Sequence, residues 1–281
     1  MSDLALALTK SLAKLFKSSA LSDLISLLAI SIFICLLVTR HSQAAELNPQ
    51  QILAASDAVR NPDFGFSLTN QLSEYRQGQL VDTSHLQVYA KADSKTAQFR
   101  NLVRYLSPAR DQNKLILMNG KEMWFYDPAS KASIRLSPQQ RLLGQASNGD
   151  VVTVNLARDY LAQSAREELI LDGDKQNRQC YLLELQAQNE AASYPRIQLW
   201  VEQKSFKPLK ARFYSASDKL LKTAFYRRYQ LALGSERPTE TIIIDGLDNS
   251  WVTLMRYSEW RKTEIPESWL QREYLSSFRP D

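Results

Sequence analysis

The sequence predicts a mainly β protein: an antiparallel sheet of about eleven strands, with few helices, that twists and curls rather than lying flat. Three observations predict this fold class. Most of the chain after residue 62 alternates between apolar and polar residues, as half-buried strands do. Short polar turns separate the alternating runs, so neighbouring strands should pair as hairpins. Nearly every strand has one apolar face, and these faces together need a cover.

The composition excludes several classes of chemistry. The chain has 281 residues, of which 44% are hydrophobic and 23% are charged, as in an ordinary globular protein. It contains only 2 histidines and 2 cysteines, whereas zinc sites and nucleophilic triads depend on these residue types. A formal net charge of +5 is too small for a nucleic-acid-binding face, so we expect no nucleic-acid partner.

The first 44 residues have the pattern of a signal peptide. Three lysines precede an apolar run, Leu24–Val38, that is shorter than the roughly 20 residues needed to cross a bilayer. Ser42 and Ala44 supply small residues for cleavage. We therefore predict a signal peptide over residues 1–44 and a single domain over residues 45–281. An uncleaved membrane anchor is the alternative, because residues 20–23 lengthen the apolar segment.

A helix is predicted to open the domain. Asn48 is a suitable N-cap, Pro49 suits the first helical position, and Gln51 stands where a capping-box side chain reaches back. Apolar residues between Ile52 and Val59 then make one narrow face.

The strands follow with a period of two. The alternating residues that predict them are Phe66-Leu68-Leu72, Leu86-Val88-Ala90, Ala97-Phe99-Val103-Tyr105, Tyr181-Leu183-Leu185, Ile197-Leu199-Val201, Leu209-Ala211-Phe213, Leu221-Phe225-Tyr229, Ile242-Ile244 and Trp251-Thr253-Met255-Tyr257. The links of hairpin length are Arg110–Lys114, Asp127–Lys131, Asp172–Asn177, Ser215–Lys219 and Asp245–Ser250. Strands joined by such links should be antiparallel neighbours.

The middle of the chain, from Ser137 to about Ala165, is predicted to be helical. In the stretch SPQQRLLG, Ser137 is a candidate cap and Gln140 completes a capping box. Gly144 would end this helix in the left-handed conformation.

A tight turn and two more helices complete the prediction. Asn148-Gly149-Asp150 reads as a turn in which Gly149 takes a positive φ. Asn155–Leu161 is predicted as a short helix, and Pro266–Leu275 as a final helical stretch. Together with the opening helix, these pieces are available to cover the apolar face of the sheet.

The residues offer little support for an enzyme. His85 is the single histidine after residue 44, and its place in the alternation puts it on the polar face of a strand. Asp150, Asp159 and Glu167–Glu168 have the carboxylates needed for acid–base work or for a hard cation, but nothing fixes their spacing. We therefore expect no catalytic activity, no cofactor and no metal.

A protein that binds an apolar ligand is the better hypothesis. A sixteen-carbon acyl chain left in water costs on the order of 12 kcal/mol, at about 0.8 kcal/mol for each CH₂ group. A curled sheet with one apolar face and helices as a lid would bury such a chain. The alternative is that the helices only complete an ordinary core.

Several segments resemble a known family. They are MWFYDP (Met123–Pro128), IRLSPQQRLLGQASNGDVV (Ile134–Val152), Asp159-Tyr160, YPRIQLWV (Tyr194–Val201) and LLKTAFYRRY (Leu220–Tyr229). In order and spacing they look like the LolA-like family of outer membrane lipoprotein-sorting proteins. The resemblance runs from about Ile52 to the C-terminus.

The resemblance implies a LolA/LolB-like fold: an unclosed, strongly curved half-barrel whose helices pack into its concave face. It also implies a periplasmic location and an apolar cavity for the acyl chains of a lipid or lipoprotein. Family members often occur beside RND (MMPL-like) inner-membrane transporters, which makes such a transporter a candidate partner.

Nine residues are candidates for the cavity wall or its lid: Trp124, Phe125, Tyr126, Arg135, Arg141, Leu142, Leu143, Asn148 and Asp150. Arg135 and Arg141 are chosen because the family carrier locks its lid with an arginine. Each also reads as a surface or salt-bridged arginine, since charged side chains are seldom buried unless paired.

The sequence therefore predicts a carrier that binds acyl chains and ferries them towards the outer membrane. The alternative is a non-catalytic accessory subunit of an RND (MMPL-like) exporter with a filled core and no ligand cavity. A cavity between sheet and helices would favour the carrier, and native-like packing throughout would favour the accessory subunit.

Overall fold

The alternating segments form one large sheet built from two meanders. A computed structural model describes residues 48–189 and 192–279, and the predicted signal peptide lies outside them. The strands are β1 Phe66–Arg76, β2 Gln79–Ala92, β3 Phe99–Ser107, β4 Leu115–Asn119, β5 Glu122–Asp127, β6 Ala132–Leu136, β7 Arg141–Leu143, β8 Ala146–Ser147, β9 Tyr160–Leu171, β10 Asn177–Ala187, β11 Arg196–Glu202, β12 Pro208–Tyr214, β13 Leu220–Ala232, β14 Ser235–Asp245 and β15 Trp251–Lys262.

Helices are few and short. They are α1 Pro49–Arg60, α2 Leu156–Asp159 and four 3₁₀ turns, Ala109–Asp111, Asn148–Asp150, Glu267–Leu270 and Arg272–Ser277. Among the described residues, no helix has both the length and the apolar character needed to cross a membrane.

Thirteen strands form the main sheet, in the order β6-β5-β4-β3-β2-β1-β15-β14-β13-β12-β11-β10-β9. The first meander runs from β1 to β6 and the second from β9 to β15. They join where β15 pairs with β1, for example at Leu72 opposite Met255. All neighbours are antiparallel, as the hairpin-length links predicted, and the sheet does not close, because β6 and β9 form its two edges.

The sheet is strongly curved. Met118 of β4 and Leu199 of β11 line the same cavity although eight strand-to-strand steps separate their strands. At about 4.8 Å for each step, the two strands would stand roughly 38 Å apart in a flat sheet. The predicted unclosed half-barrel is therefore confirmed, with thirteen strands in place of about eleven.

The opening helix forms as its sequence predicts. Asn48 accepts a hydrogen bond from the backbone N–H of Gln51 at 2.8 Å, and the Gln51 side chain accepts one from the Asn48 N–H at 3.0 Å. Pro49 occupies the first turn. Ile52 and Leu53 are buried in the largest core cluster, against the concave face of the sheet.

The predicted helix over SPQQRLLG is wrong. Arg141–Leu143 forms strand β7, which turns through Gly144 and pairs with β8 as a small hairpin. The carbonyl groups of Pro138 and Gln140 accept hydrogen bonds from Gly149 and Asn148, both at 2.9 Å, so they are not available to helical N–H groups. Contacts with residues farther along the chain therefore override the local capping signal.

Strand β9 also differs from the prediction, which extended the helical section to about Ala165. The strand begins at Tyr160 and forms one edge of the sheet. Because an edge strand is exposed over much of its length, its apolar residues do not alternate regularly, and the period of two is weak. The short helix predicted at Asn155–Leu161 is present as α2 over Leu156–Asp159.

The C-terminal stretch covers the opposite face of the sheet from α1. Leu270, Leu275 and Phe278 pack against Leu102 and Leu117 in a second cluster. Val103 and Ile116, which alternate with those two sheet residues, belong to the main concave cluster. The expectation that all helices cover the concave face is therefore correct for α1 and α2 and wrong for the C-terminal 3₁₀ turns.

Candidate functional site

A cavity of about 140 Å³ lies between the concave face of the sheet and the segment that links the two meanders. We call this link, residues 137–159, the cover segment. The sheet supplies apolar lining residues from both meanders, and the cover segment supplies residues 149–154, Leu156 and Asp159. Representative lining residues are Phe66, Leu68, Val88, Met118, Val151, Val152, Leu199, Phe213 and Ile243.

A buried ion pair attaches the cover segment to the sheet. Lys222 of β13 donates to the carboxylate of Asp150, and its ammonium group also donates to the carbonyl of Gln145 at 3.0 Å. The two charged side chains are only 5% and 12% exposed. Burial lowers the pKa of Lys222, and the charge of Asp150 opposes this change.

Further hydrogen bonds surround the carboxylate of Asp150. Its oxygens accept from the backbone N–H of Ser147 at 2.7 Å and from the Tyr194 hydroxyl at 3.0 Å. Tyr194 is buried, and burial together with the nearby Asp150 charge raises its pKa well above the ordinary value. The tyrosine therefore remains a neutral donor at physiological pH.

Two amide side chains hold the other half of the cover segment. Each bonds to both the N–H and the carbonyl of one residue, as the backbone of a neighbouring strand would. Asn101 of β3 accepts from the N–H of Thr153 at 2.8 Å and donates to its carbonyl at 2.9 Å. Gln98 makes the same pair of bonds with Asn155, at 2.7 and 3.1 Å. These bonds satisfy the backbone of a segment that crosses the concave side without belonging to the sheet.

Helix α1 fixes the end of the cover segment. Asp57 accepts from the N–H of Ala157 at 2.8 Å, and Arg60 donates to the carbonyl of Val154 at 2.8 Å and to Asp57 at 2.7 Å. Burial raises the pKa of Asp57, while Arg60 acts in the opposite direction. Arg60 and Asn61 also line one end of the cavity.

Two glycines allow the cover segment to approach its neighbours closely. Gly144 has a φ of +55°, and a Cβ atom there would lie 2.3 Å from the hydroxyl oxygen of Thr253. A Cβ atom on Gly149 would lie 2.1 Å from the hydroxyl oxygen of Ser193. The positive φ predicted for Gly149 is wrong, because the positive-φ glycines do not include it. Space, not backbone conformation, requires glycine at position 149.

Five of the predicted candidates, Arg141 among them, lie in the cover segment. Asp150 lines the cavity and carries the ion pair. Leu142 and Leu143 pack against the main core cluster, and Asn148 is buried and donates to the carbonyl of Ser137 at 3.2 Å. Asp150 is the one member of the nine candidates that lines the cavity in the described part of the chain.

The other candidates lie elsewhere. Trp124 and Tyr126 face the outer cluster under the C-terminal stretch, while Phe125 faces the main cluster. Arg135 lies on edge strand β6, is 63% exposed and approaches Glu122 at 3.6 Å.

Arg141 stacks above Trp251 at 4.3 Å and is 57% exposed. The cation that pairs with Asp150 in the cover segment is Lys222 instead, which sequence reasoning missed. Lys222, Ala224 and Tyr226 are spaced two residues apart in β13, so all three side chains face the concave side. This spacing was the signal in the sequence that could have identified Lys222.

No set of three or more histidine, cysteine, aspartate or glutamate side chains in residues 48–189 and 192–279 is placed to hold a metal ion. What the site offers is an apolar cavity, a segment that covers it and polar contacts that hold this segment in place.

Known proteins resemble the chain in sequence and fold. A LolA superfamily protein from Nitrosomonas europaea has 32% identity and a TM-score of 0.73, and the match covers 82% of this chain and 100% of that one. A DUF1329 family protein from Desulfovibrio piger has 22% identity and a TM-score of 0.67, with 82% and 100% of the two chains covered.

A domain from Vibrio parahaemolyticus that is named for outer membrane lipoprotein sorting has 17% identity and a TM-score of 0.65. That match covers 81% of this chain and 98% of the other. The Desulfovibrio and Vibrio structures support the fold alone. A family model described as an uncharacterized protein matches residues 97–277. A search of the curated proteins gives no match.

Proposed function

Because the chain belongs to the LolA superfamily, we propose that it is a periplasmic, non-enzymatic carrier that binds an acyl chain of a lipid or lipoprotein and ferries it towards the outer membrane. The cavity between sheet and cover segment carries this proposal. The alternative accessory subunit would have a filled core, and the cavity favours the carrier over it. An RND (MMPL-like) partner stays a prediction.

Under this proposal, the carrier binds its ligand in a more open state than the one in the structure. An engineered apolar cavity of about 150 Å³ holds one benzene molecule, and the cavity here is of similar size, about 140 Å³. A sixteen-carbon acyl chain is much longer than benzene. Binding therefore requires the cover segment to move away from the sheet and enlarge the cavity.

The contacts of the cover segment suit such a movement. The Lys222–Asp150 pair, an exposed pair of Arg141 with Asp245 at 3.9 Å and a set of hydrogen bonds attach it to the sheet and to α1. Water can replace hydrogen bonds of this kind when the segment opens, so their net contribution is only about 1 kcal/mol each. The incoming acyl chain would offset the exposure of the apolar lining.

Two measurements test the proposal. Native mass spectrometry after gentle purification should detect bound lipid. Displacement of the fluorescent hydrocarbon diphenylhexatriene by palmitic acid should be saturable. Absence of both signals from the wild-type protein would contradict the carrier function.

A pair of variants locates the binding site. Ala224 of β13 is buried and lines the cavity, so Ala224→Phe should fill it and weaken binding. Thr223 lies next to it in the same strand and is not among the lining residues, so Thr223→Phe is the matched control and should bind as the wild type does. Equal effects of the two variants would place binding outside the cavity. Circular dichroism and thermal unfolding would establish that both fold.

A further inference from the structure

The floor of the cavity contains one buried amide that has no protein partner. Asn70 lies in the middle of β1 and is 1% exposed, between Leu68 and Leu72 on the same concave face. Its side-chain oxygen accepts no hydrogen bond, and its amide group donates none, within residues 48–189 and 192–279. Buried polar side chains are nearly always paired, so an unpaired one that lines a cavity requires an explanation.

The neighbours of Asn70 do not supply the missing bond. Its register partners are Leu86 on β2, which is apolar, and Tyr257 on β15. The Tyr257 hydroxyl donates to Thr241 at 3.2 Å, so its proton is already in use. Asn70 therefore presents a free acceptor and a free donor to the cavity.

The polar surface extends across the floor from Asn70. Tyr257 and Thr241 line the cavity beside it, and Tyr226, opposite Thr241, lines it on β13. None of these four side chains is charged at physiological pH, because burial raises the pKa of Tyr226 to about 12. A polar strip thus crosses a floor that is otherwise apolar.

The two cations near the strip, Arg60 and Lys222, are already paired. Arg60 bonds to Asp57, and Lys222 bonds to Asp150. An anionic group at Asn70 would thus find no free cation in the cavity wall among the described residues, and an unpaired buried charge is unfavourable. An ammonium group could donate to the Asn70 oxygen but has no acceptor for its amide N–H, so the complementary ligand group is uncharged and both donates and accepts hydrogen bonds, as an amide or a hydroxyl does.

We propose that Asn70 binds an uncharged amide or hydroxyl group of the carried lipid inside the cavity, so that the carrier selects acyl compounds with such a group over plain hydrocarbon chains. This inference rests on the proposed carrier function and adds the chemical class of its ligand.

Competition binding tests the inference. Dodecanamide, dodecanol and dodecane would each displace diphenylhexatriene from the wild-type protein and from Asn70→Leu. We expect the wild type to bind the amide or the alcohol about tenfold more tightly than dodecane, and the variant to lose this preference. The amide and alcohol arms distinguish which group is recognised.

The control is Thr69→Val. Thr69 is the neighbour of Asn70 in β1, and its hydroxyl donates to Glu259 at 2.8 Å on the outer face. This variant should keep the wild-type preference. Thermal unfolding should show that Asn70→Leu is at least as stable as the wild type, because an unpaired buried amide is replaced by an apolar side chain of similar volume.

The outcomes separate the inference from the function on which it rests. If the wild type binds all three compounds equally, or if Asn70→Leu keeps the preference, Asn70 bonds only to water and the inference is wrong, whereas the carrier function stands. If the wild type binds none of the compounds, both fail. The wild-type comparison alone remains decisive if Asn70→Leu does not fold.

Discussion

Lys222 of strand β13 forms an ion pair with Asp150 of the cover segment, which lines the cavity. The pair is buried, and the lysine also bonds to the carbonyl of Gln145 in the same segment. One side chain of the sheet therefore holds two points of the cover segment. Removal of either charge would leave the other buried and uncompensated.

We expect Asp150→Ala to lower the free energy of unfolding by about 3–5 kcal/mol, because Lys222 would lose its compensating charge in the core. The double variant Asp150→Ala, Lys222→Met should recover most of this loss. Urea unfolding followed by tryptophan fluorescence measures both. Arg141→Ala is the control: Arg141 is 57% exposed, so the change should stay within about 0.5 kcal/mol. Equal losses for Asp150→Ala and Arg141→Ala would contradict this role of the pair.

Gly149→Ala should destabilise the protein by about 1–3 kcal/mol through overpacking, because its methyl group would meet Ser193. Ser193→Gly in the same chain should restore much of the loss, since it removes the atoms in conflict. Gly120→Ala is the matched control, as Gly120 has open space around it but a φ of +60°. Its cost should persist when Ser193→Gly is added. Failure of Ser193→Gly to rescue Gly149→Ala would show that the close contact is unimportant.

Glu240 should make stability depend on pH. Burial alone would raise its pKa, but the hydrogen bonds and charges of Arg227 and Arg256 outweigh this and hold the pKa below the ordinary value of 4.5. The unfolded chain then binds the proton more readily, so the cluster stabilises the fold above pH 4.5 and loses this effect as pH falls through the lower folded-state pKa.

Glu240→Gln should therefore lower the free energy of unfolding by on the order of 2 kcal/mol at neutral pH. The difference from the wild type should shrink in acid. Glu236→Gln, on the same strand, is the control, because Glu236 is 58% exposed and its pairing contributes little. Denaturant unfolding at several pH values measures the effect, and a difference that stays constant with pH would exclude the linkage.

Leu270→Ala should separate stability from binding. Leu270 is fully buried beneath the outer face of β3–β5, so its truncation should cost about 2–5 kcal/mol. The cavity lies on the opposite face, and Leu270 does not line it. The affinity for a displaced fluorescent hydrocarbon should therefore remain that of the wild type. A parallel loss of affinity would show that the outer cluster shapes the cavity.

The sheet was largely predictable because its central strands bury one face. Leu86 and Ile197, for example, alternate with polar neighbours, and the turns between strands are short and polar. The edge strand β9 was less predictable, because little of it is covered on either side. The outer cluster was missed because the pattern near Leu102 and Val103 is apolar on both faces.

The cover segment could not be predicted in the same way. Its hairpin is fixed by bonds to distant residues, such as that from the N–H of Gln145 to Thr253 at 2.7 Å, and a local capping pattern says nothing about them. Asp150 was identified as a candidate, but its partner Lys222 was not, since a lysine in an alternating strand ordinarily indicates the solvated face. The pairing of the two meanders decides which face is concave.

The pairing of β1 with β15 governs the order in which the molecule can be completed. Phe66 lies opposite Lys262, near the two ends of the described chain. The two meanders therefore cannot pair through β1 and β15 until β15, the last strand, has emerged from the ribosome or from a translocation pore. Each meander can form its own hairpins earlier, because those contacts are local. A nascent chain truncated before β15 would contain two half-sheets, each with an unpaired edge strand where β15 would join them.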